Sequence, residues 1–172
     1  MSIPMSIGRQ KKIILGIDPG LADTGYGIIS EEKGKITLLT CGSIKTPARV
    51  PLTKRLEIIA RELKKIIKDY QPDKAGIEQL FFCNNAKTAI AVGQARGVAL
   101  LIISQHKIPL FEYTPLQVKQ AVTGYGQADK KQIQQMVKLI LNLETVPKPD
   151  DAADAVAIAI CALNNSINRH LV

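Results

Sequence analysis

Short apolar runs alternate along this chain with longer stretches in which apolar residues recur every three or four positions. Lys12-Ile13-Ile14-Leu15-Gly16-Ile17 is a continuous run rich in β-branched residues and predicts a buried strand, closed by Asp18 and stopped by Pro19-Gly20. Leu21-Ala22-Asp23 predicts a turn, Thr24 to Ser30 a second strand, Glu31 to Lys35 a hairpin turn and Ile36 to Ile44 a third strand. Connections this short imply an antiparallel meander. Gly25 and Gly27 leave backbone bare in the second strand, a sign that something approaches it closely.

Past a loop at Pro47 to Pro51, the spacing of Leu52, Leu56, Ile59, Leu63, Ile66 and Ile67 predicts an amphipathic helix over 51–69. Its polar face is mainly basic, with Lys54, Arg55, Arg61, Lys64, Lys65 and Lys68 against Glu57 and Glu62. Lys74 to Glu78 reads as a fourth strand, again closing on a carboxylate. Asn84 can cap a long helix to about His106, whose small residues Ala86, Ala89, Gly93 and Gly97 suit core packing or a subunit contact. Ile108 to Tyr113 predicts a fifth strand, and Thr114-Pro115 opens a helix to about Thr123. Gly124 to Gln127 is a flexible loop, Asp129 to Leu143 a helix, and residues 150–165 a last helix behind Pro147-Lys148-Pro149. The expected architecture is α/β: a five-stranded mixed sheet, an antiparallel meander plus parallel strands, flanked by helices. Residues 1–11 read as a flexible N-terminal tail and 12–172 as one domain, large enough for a real core.

Charge narrows the partners. The net charge of +8 favours a polyanion, nucleic acid ahead of an anionic membrane surface. Cys41, Cys83 and Cys161 show no zinc-type spacing and read as free thiols in a reducing cytoplasm. The longest apolar stretch, Ala89 to Ser104, is broken by Gln94 and Arg96 and is too short and polar to span a bilayer.

The candidate chemistry lies in the acids. Asp18 and Glu78 each end an apolar strand, where a carboxylate needs a cation, backbone donors or water. The last helix is apolar on all sides from Ala152 to Leu163 except at Asp154, which shares a face with Asp151. Acids in a first turn complement the helix dipole, and Asp150 can be the N-cap. That accounts poorly for Asp154, one turn in. Carboxylates converging without nearby bases require a divalent cation, and hard oxygen ligands favour Mg²⁺ or Mn²⁺ over zinc. Two such ions about 4 Å apart can activate a water and stabilise the leaving oxygen of a phosphodiester. The residues alone therefore point to a metal-dependent nuclease.

The motifs Ile14-Leu15-Gly16-Ile17-Asp18-Pro19-Gly20 with Thr24-Gly25-Tyr26-Gly27, Ile77-Glu78-Gln79, Gly93-Gln94-Ala95-Arg96-Gly97, Val118-Lys119-Gln120 and Asp151-Ala152-Ala153-Asp154-Ala155 occur in an order that resembles the RuvC Holliday junction resolvases over about residues 12–165. The resemblance implies a ribonuclease H-like fold, a homodimer, Mg²⁺ (with Mn²⁺ able to substitute) and paired symmetric nicks across a four-way DNA junction. It also implies work beside a branch-migration helicase complex of the RuvA and RuvB type in homologous recombination and DNA repair. Asp18, Glu78, Asp151 and Asp154 match the family's catalytic, metal-holding acids. Lys119 and Lys130 match its basic residues near the scissile phosphate, and Phe81 an aromatic that stacks on a base at the crossover. Asp150 adds a fifth acid, and Asp151 is preferred because Asp-Ala-Ala-Asp fits both the motif and the i, i+3 spacing.

Other readings share parts of this pattern. An Asp-x-Gly opening also occurs in sugar and acetate kinases, which need a far longer chain. A non-catalytic junction-binding module on the same fold would be expected to have lost one of the four acids, and all four are present. A related nuclease acting on other branched DNA is the alternative closest to the resemblance.

Overall fold

The computed structural model describes residues 11–80 and 86–164, with residues 86–88 as backbone only. Strand β1 (Lys11–Asp18) pairs antiparallel with β2 (Asp23–Glu32), and β2 with β3 (Lys35–Lys45). This is the expected meander. Helix α1 (Leu52–Tyr70) leads to β4 (Lys74–Glu78), which lies parallel to β1; helix α2 (Ala86–Gln105) leads to β5 (Leu110–Tyr113), parallel to β4. Three helices follow, α3 (Pro115–Thr123), α4 (Lys130–Ile140) and α5 (Asp150–Asn164). The sheet order is β3-β2-β1-β4-β5. Antiparallel and parallel halves thus meet at β1, the strand that ends in Asp18.

Successive residues of a strand face opposite sides of a sheet, and here the two sides have different cores. Leu15, Ile17 and Ile77 pack against α1 and α2 through residues such as Ile59, Leu63, Ala99 and Ile103. Ile14, Ile29, Phe111 and Tyr113 face α3, α4 and α5. Helix α5 is buried nearly all round: every residue from Ala155 to Ala162 is at most 1% exposed, as its uniformly apolar sequence requires. It lies directly on β1 and β2. A Cβ on Gly16 would sit 1.9 Å from the Ala155 carbonyl oxygen, and one on Gly25 2.0 Å from that of Asp151. The bare backbone read in the second strand therefore exists to admit a helix.

Elsewhere the expected and observed boundaries differ for local reasons. β5 begins at Leu110 rather than Ile108, although the Pro109 carbonyl still accepts from the Ala75 N–H at 2.8 Å. Proline has no N–H to continue the ladder. α4 ends at Ile140 rather than Leu143 because the chain turns through Asn142, whose φ is 49°. The expected cap at Asn84 and the aromatic Phe81 lie outside the described residues.

Candidate active site

Asp18 and Glu78 end their strands on the α5 side of the sheet, and Asp151 and Asp154 lie near the start of α5 itself. Asp18 follows Gly16 on that face of β1, and Glu78 follows Gly76, whose own Cβ position touches Ala162 and Ile158 of α5. Beyond Asp18, the chain is pinned: Thr24 Oγ1 donates to the Gly20 carbonyl at 2.6 Å and the Thr46 N–H to the Ala22 carbonyl at 2.9 Å. Asp151 and Asp154 are one helical turn apart in α5, and the glycine contacts with β1 and β2 set how near they come to Asp18. One carboxylate oxygen from each of Asp18, Asp151 and Asp154 lies within 4.8 Å of the others. Glu78 lines the same cleft, of about 220 Å³, with Asp18, Asp154, Lys119 and Lys130.

Like charges this close repel. The Asp18 carboxyl is accordingly pushed up to about 7, first by burial and then by the charges of Glu78, Asp154 and Asp151. Glu78 is raised by burial and by Asp154. Asp154 is raised by burial and by its neighbouring aspartates, despite the opposing pull of Lys130. The three-oxygen set suits a hard divalent cation, whose charge would reverse each of these shifts.

Two capped helices deliver the lysines. Thr114 and Gln117 form a reciprocal capping box at the start of α3, as do Asp129 and Gln132 at the start of α4. These fix the registers that bring Lys119 and Lys130 to the cleft. Lys130 is the first residue of α4, where a cation opposes the helix dipole. That cost is offset by Asp154 at 3.2 Å and Asp150 at 3.3 Å.

A family model described as "Crossover junction endodeoxyribonuclease RuvC" matches residues 14–162. The crossover junction endodeoxyribonuclease RuvC of Alkaliphilus oremlandii is 60% identical over 149 residues, spanning 87% of this chain and 91% of that protein. This chain belongs to the RuvC family. The RuvC relative from Clostridioides difficile is 52% identical over 160 residues, covering 92% of this chain and 95% of its own. Among solved structures, Thermus thermophilus RuvC in complex with a Holliday junction substrate superposes with a TM-score of 0.83 at 33% identity, over 87% of this chain and 92% of that one. The yeast mitochondrial resolvase Ydc2, at 14% identity and a TM-score of 0.60 over 86% of this chain and 77% of its own, shares the fold. The fold is ribonuclease H-like, and RuvC proteins are endodeoxyribonucleases.

Set against the RuvC pattern, the structure brings Asp18, Asp151 and Asp154 together and places Glu78, Lys119 and Lys130 in the same cleft. Phe81 lies outside the described residues. Asp150 is the first residue of α5 rather than its cap, since the Pro149 carbonyl accepts from the Ala152 N–H at 3.0 Å. It turns outward to Lys130 and to Gln134, whose Nε2 is 3.3 Å from Asp150 Oδ1, while Asp151 joins the cluster. One expectation needs correction: the acids do have a base nearby. Lys130 is half exposed and divided between two carboxylates, so it leaves the site strongly negative. Among the described residues, no lysine or arginine forms an ion pair with Asp18, Glu78 or Asp151. Nothing in the sequence marked the contact of Lys130 with Asp154, 24 residues away on another helix.

Proposed function

We propose that this chain resolves four-way DNA (Holliday) junctions by paired symmetric nicks, with Mg²⁺ held by Asp18, Glu78, Asp151 and Asp154 and with Mn²⁺ able to substitute. The observation that carries the reading is the convergence of Asp18, Asp151 and Asp154, from β1 and α5, within 4.8 Å on a chain of this family. The junction bound by Thermus thermophilus RuvC supports the substrate.

A bound divalent cation would supply a nucleophilic water at neutral pH and stabilise the leaving oxygen of an in-line displacement. The protein's own residues do the rest. Asp18, at the junction of the sheet's two halves, would be the central ligand, with Asp151 and Asp154 reaching it from α5. Lys119, beside the acids but on another helix, is suited to hold a phosphate oxygen as a point charge. Lys130 is counter-ion to Asp154 at 3.2 Å and, lining the same cleft, would be a second point charge for the DNA backbone. Phe81 would stack on a base at the crossover.

Paired nicks require two sites, and the reading includes a homodimer. Helix α2 supports it by exposing Ile90 at 63% and Leu101 at 56%, while the Cβ position of Gly97 meets nothing within 4 Å. Residues 12–172 would act as a single nuclease unit in the cytoplasm, beside a branch-migration helicase complex, in recombination and repair. No helix among the described residues is long and apolar enough to cross a membrane.

The test is incubation of the protein with a synthetic immobile four-way junction and with linear duplex, with and without Mg²⁺. Symmetric nicks on the junction alone, and only with the metal, are expected. Equal cutting of the duplex would favour a nuclease of broader specificity. Metal-independent binding without any cutting would favour a junction-binding module.

A further inference from the structure

The stretch Gln94-Ala95-Arg96-Gly97 takes no part in the cleft, yet its arginine carries an unusual contact. Arg96 of α2 forms an ion pair with Glu112 of β5, with only 14% and 20% of the two side chains exposed. Its Nε also lies 3.5 Å from the backbone carbonyl oxygen of Glu78. Strand alternation puts this pair on the far side of the sheet from the acids. Glu112 is the cross-strand partner of Ile77, whose side chain faces α1 and α2, whereas Glu78 and its partner Tyr113 face α5.

The end of β4 needs such support. Pairing between β1 and β4 stops at Ile17 and Ile77, so the two residues that carry carboxylates, Asp18 and Glu78, are not paired with each other. Their like charges push them apart. Glu78 is held on its other side by β5, a strand of only four residues, through its pairing with Tyr113 and the Gln79 N–H to Tyr113 carbonyl bond of 2.8 Å. A buried ion pair adds little stability over apolar residues of the same size. What apolar residues could not supply is the donor to the Glu78 carbonyl.

We propose that Arg96 and Glu112 are positioning residues: Glu112 orients the guanidinium, the guanidinium holds the Glu78 carbonyl from behind the sheet, and the Glu78 carboxylate is thereby kept facing Asp18 and Asp154. The inference rests on the reading of Glu78 as a metal ligand. Outer-shell partners of this kind are typically worth about 10- to 100-fold in metal affinity.

The test measures Mn²⁺ binding to the metal-free full chain from the loss of the free-ion electron paramagnetic resonance signal, together with melting temperature and four-way junction binding in EDTA. The variants are Glu78→Gln, Arg96→Lys, the apolar double Arg96→Met/Glu112→Leu, and the last combined with Glu78→Gln. Arg96→Lys keeps a charge beside Glu112 but lacks the planar donor, and it serves even where the double variant fails to fold. Expected is a roughly 10-fold weakening of Mn²⁺ binding in Arg96→Lys and in the apolar double, with junction binding in EDTA unchanged and the melting temperature of the double kept or raised. Adding Glu78→Gln to the double should weaken binding no further than Glu78→Gln alone, because both act through one carboxylate. Native Mn²⁺ affinity in the arginine variants, beside a weakened Glu78→Gln, would overturn the positioning role and leave the ligand reading intact. Additive losses would also overturn it. An unchanged Glu78→Gln would remove Glu78 from the ligand set and this inference with it.

Discussion

Two groups of charged side chains sit back to back at one end of this sheet, and they are built on opposite plans. Behind it, Arg96 and Glu112 are matched in charge, mostly buried and in direct contact. In front, Asp18, Asp151 and Asp154 share one sign within 4.8 Å, and Lys130, which among the described residues pairs with Asp154, is half exposed and shared with Asp150 outside the cluster. A matched pair satisfies itself and can serve as scaffold. A like-charged cluster holds an unfavourable energy in the folded chain that a bound proton or an added cation relieves. The fold tolerates the second because packing elsewhere, above all α5 against the glycines of β1 and β2, overrides the repulsion.

The largest expected effect comes from removing the central acid. Asp18→Asn should keep junction binding and lower cutting by about 10³-fold or more, equivalent to losing several kcal/mol of transition-state stabilisation. A gel-based cleavage assay paired with a mobility shift in EDTA checks both halves. Retained metal-dependent cutting would remove Asp18 from its role.

Next comes the scaffold that forces the acids together. Gly16→Ala would place a methyl 1.9 Å from the Ala155 carbonyl oxygen, so α5 must move off the sheet. Overpacking of this kind costs typically about 1–3 kcal/mol, or several degrees in melting temperature for a chain of this size. Mn²⁺ binding should weaken with it, because Asp151 and Asp154 travel on the displaced helix. A variant with lowered melting temperature but native Mn²⁺ affinity would show that the cluster does not depend on this contact.

The pH dependence of the metal-free protein sharpens the contrast further. Asp18 binds its proton more tightly folded, with a pKa of about 7, than at its ordinary value of 3.8. Its contribution to stability is therefore fully present below about pH 4 and is lost as pH rises through 7. Glu78 and Asp154, also raised, act in the same direction. In EDTA, the melting temperature of the native chain relative to Asp18→Asn should fall between pH 4 and 8, and Mg²⁺ should restore it at the upper end. A difference that is flat or rises across this range would contradict the charge balance described for the cleft.

The smallest effect concerns Lys119. Its replacement by Ala should leave folding nearly unchanged, weaken junction binding across all sequences and reduce the slope of log affinity against log salt by about 1. An unaltered slope would mean that Lys119 does not meet a phosphate.

Much of the scaffold was legible in the sequence because each element carries its own local signal. The β-branched run before Asp18, the threonine and proline that open α3 and the continuous apolar face of α5 all fold as their patterns indicate. The glycines of β2 correctly signalled a close approach, although their spacing could not say that a helix rather than a ligand arrives. The acids could be selected because a carboxylate at the end of a buried strand, or one turn inside a buried helix, lacks a local explanation. What stayed hidden was pairing across long separations. The contacts of Lys130 with Asp154 and of Arg96 with Glu112 join different elements, and no periodicity within one element encodes them. The choice between Asp150 and Asp151 likewise depended on the exact start of α5, which the capping pattern alone left open.

The central claim is that the front cluster exists to hold a divalent cation, and diffraction from crystals soaked in Mn²⁺ and recorded at the manganese absorption edge tests it most directly. An anomalous peak lying between the carboxylates of Asp18, Asp151 and Asp154 is the predicted result. Full Mn²⁺ exposure with no peak there, or with manganese held only by acids elsewhere on the surface, would contradict it.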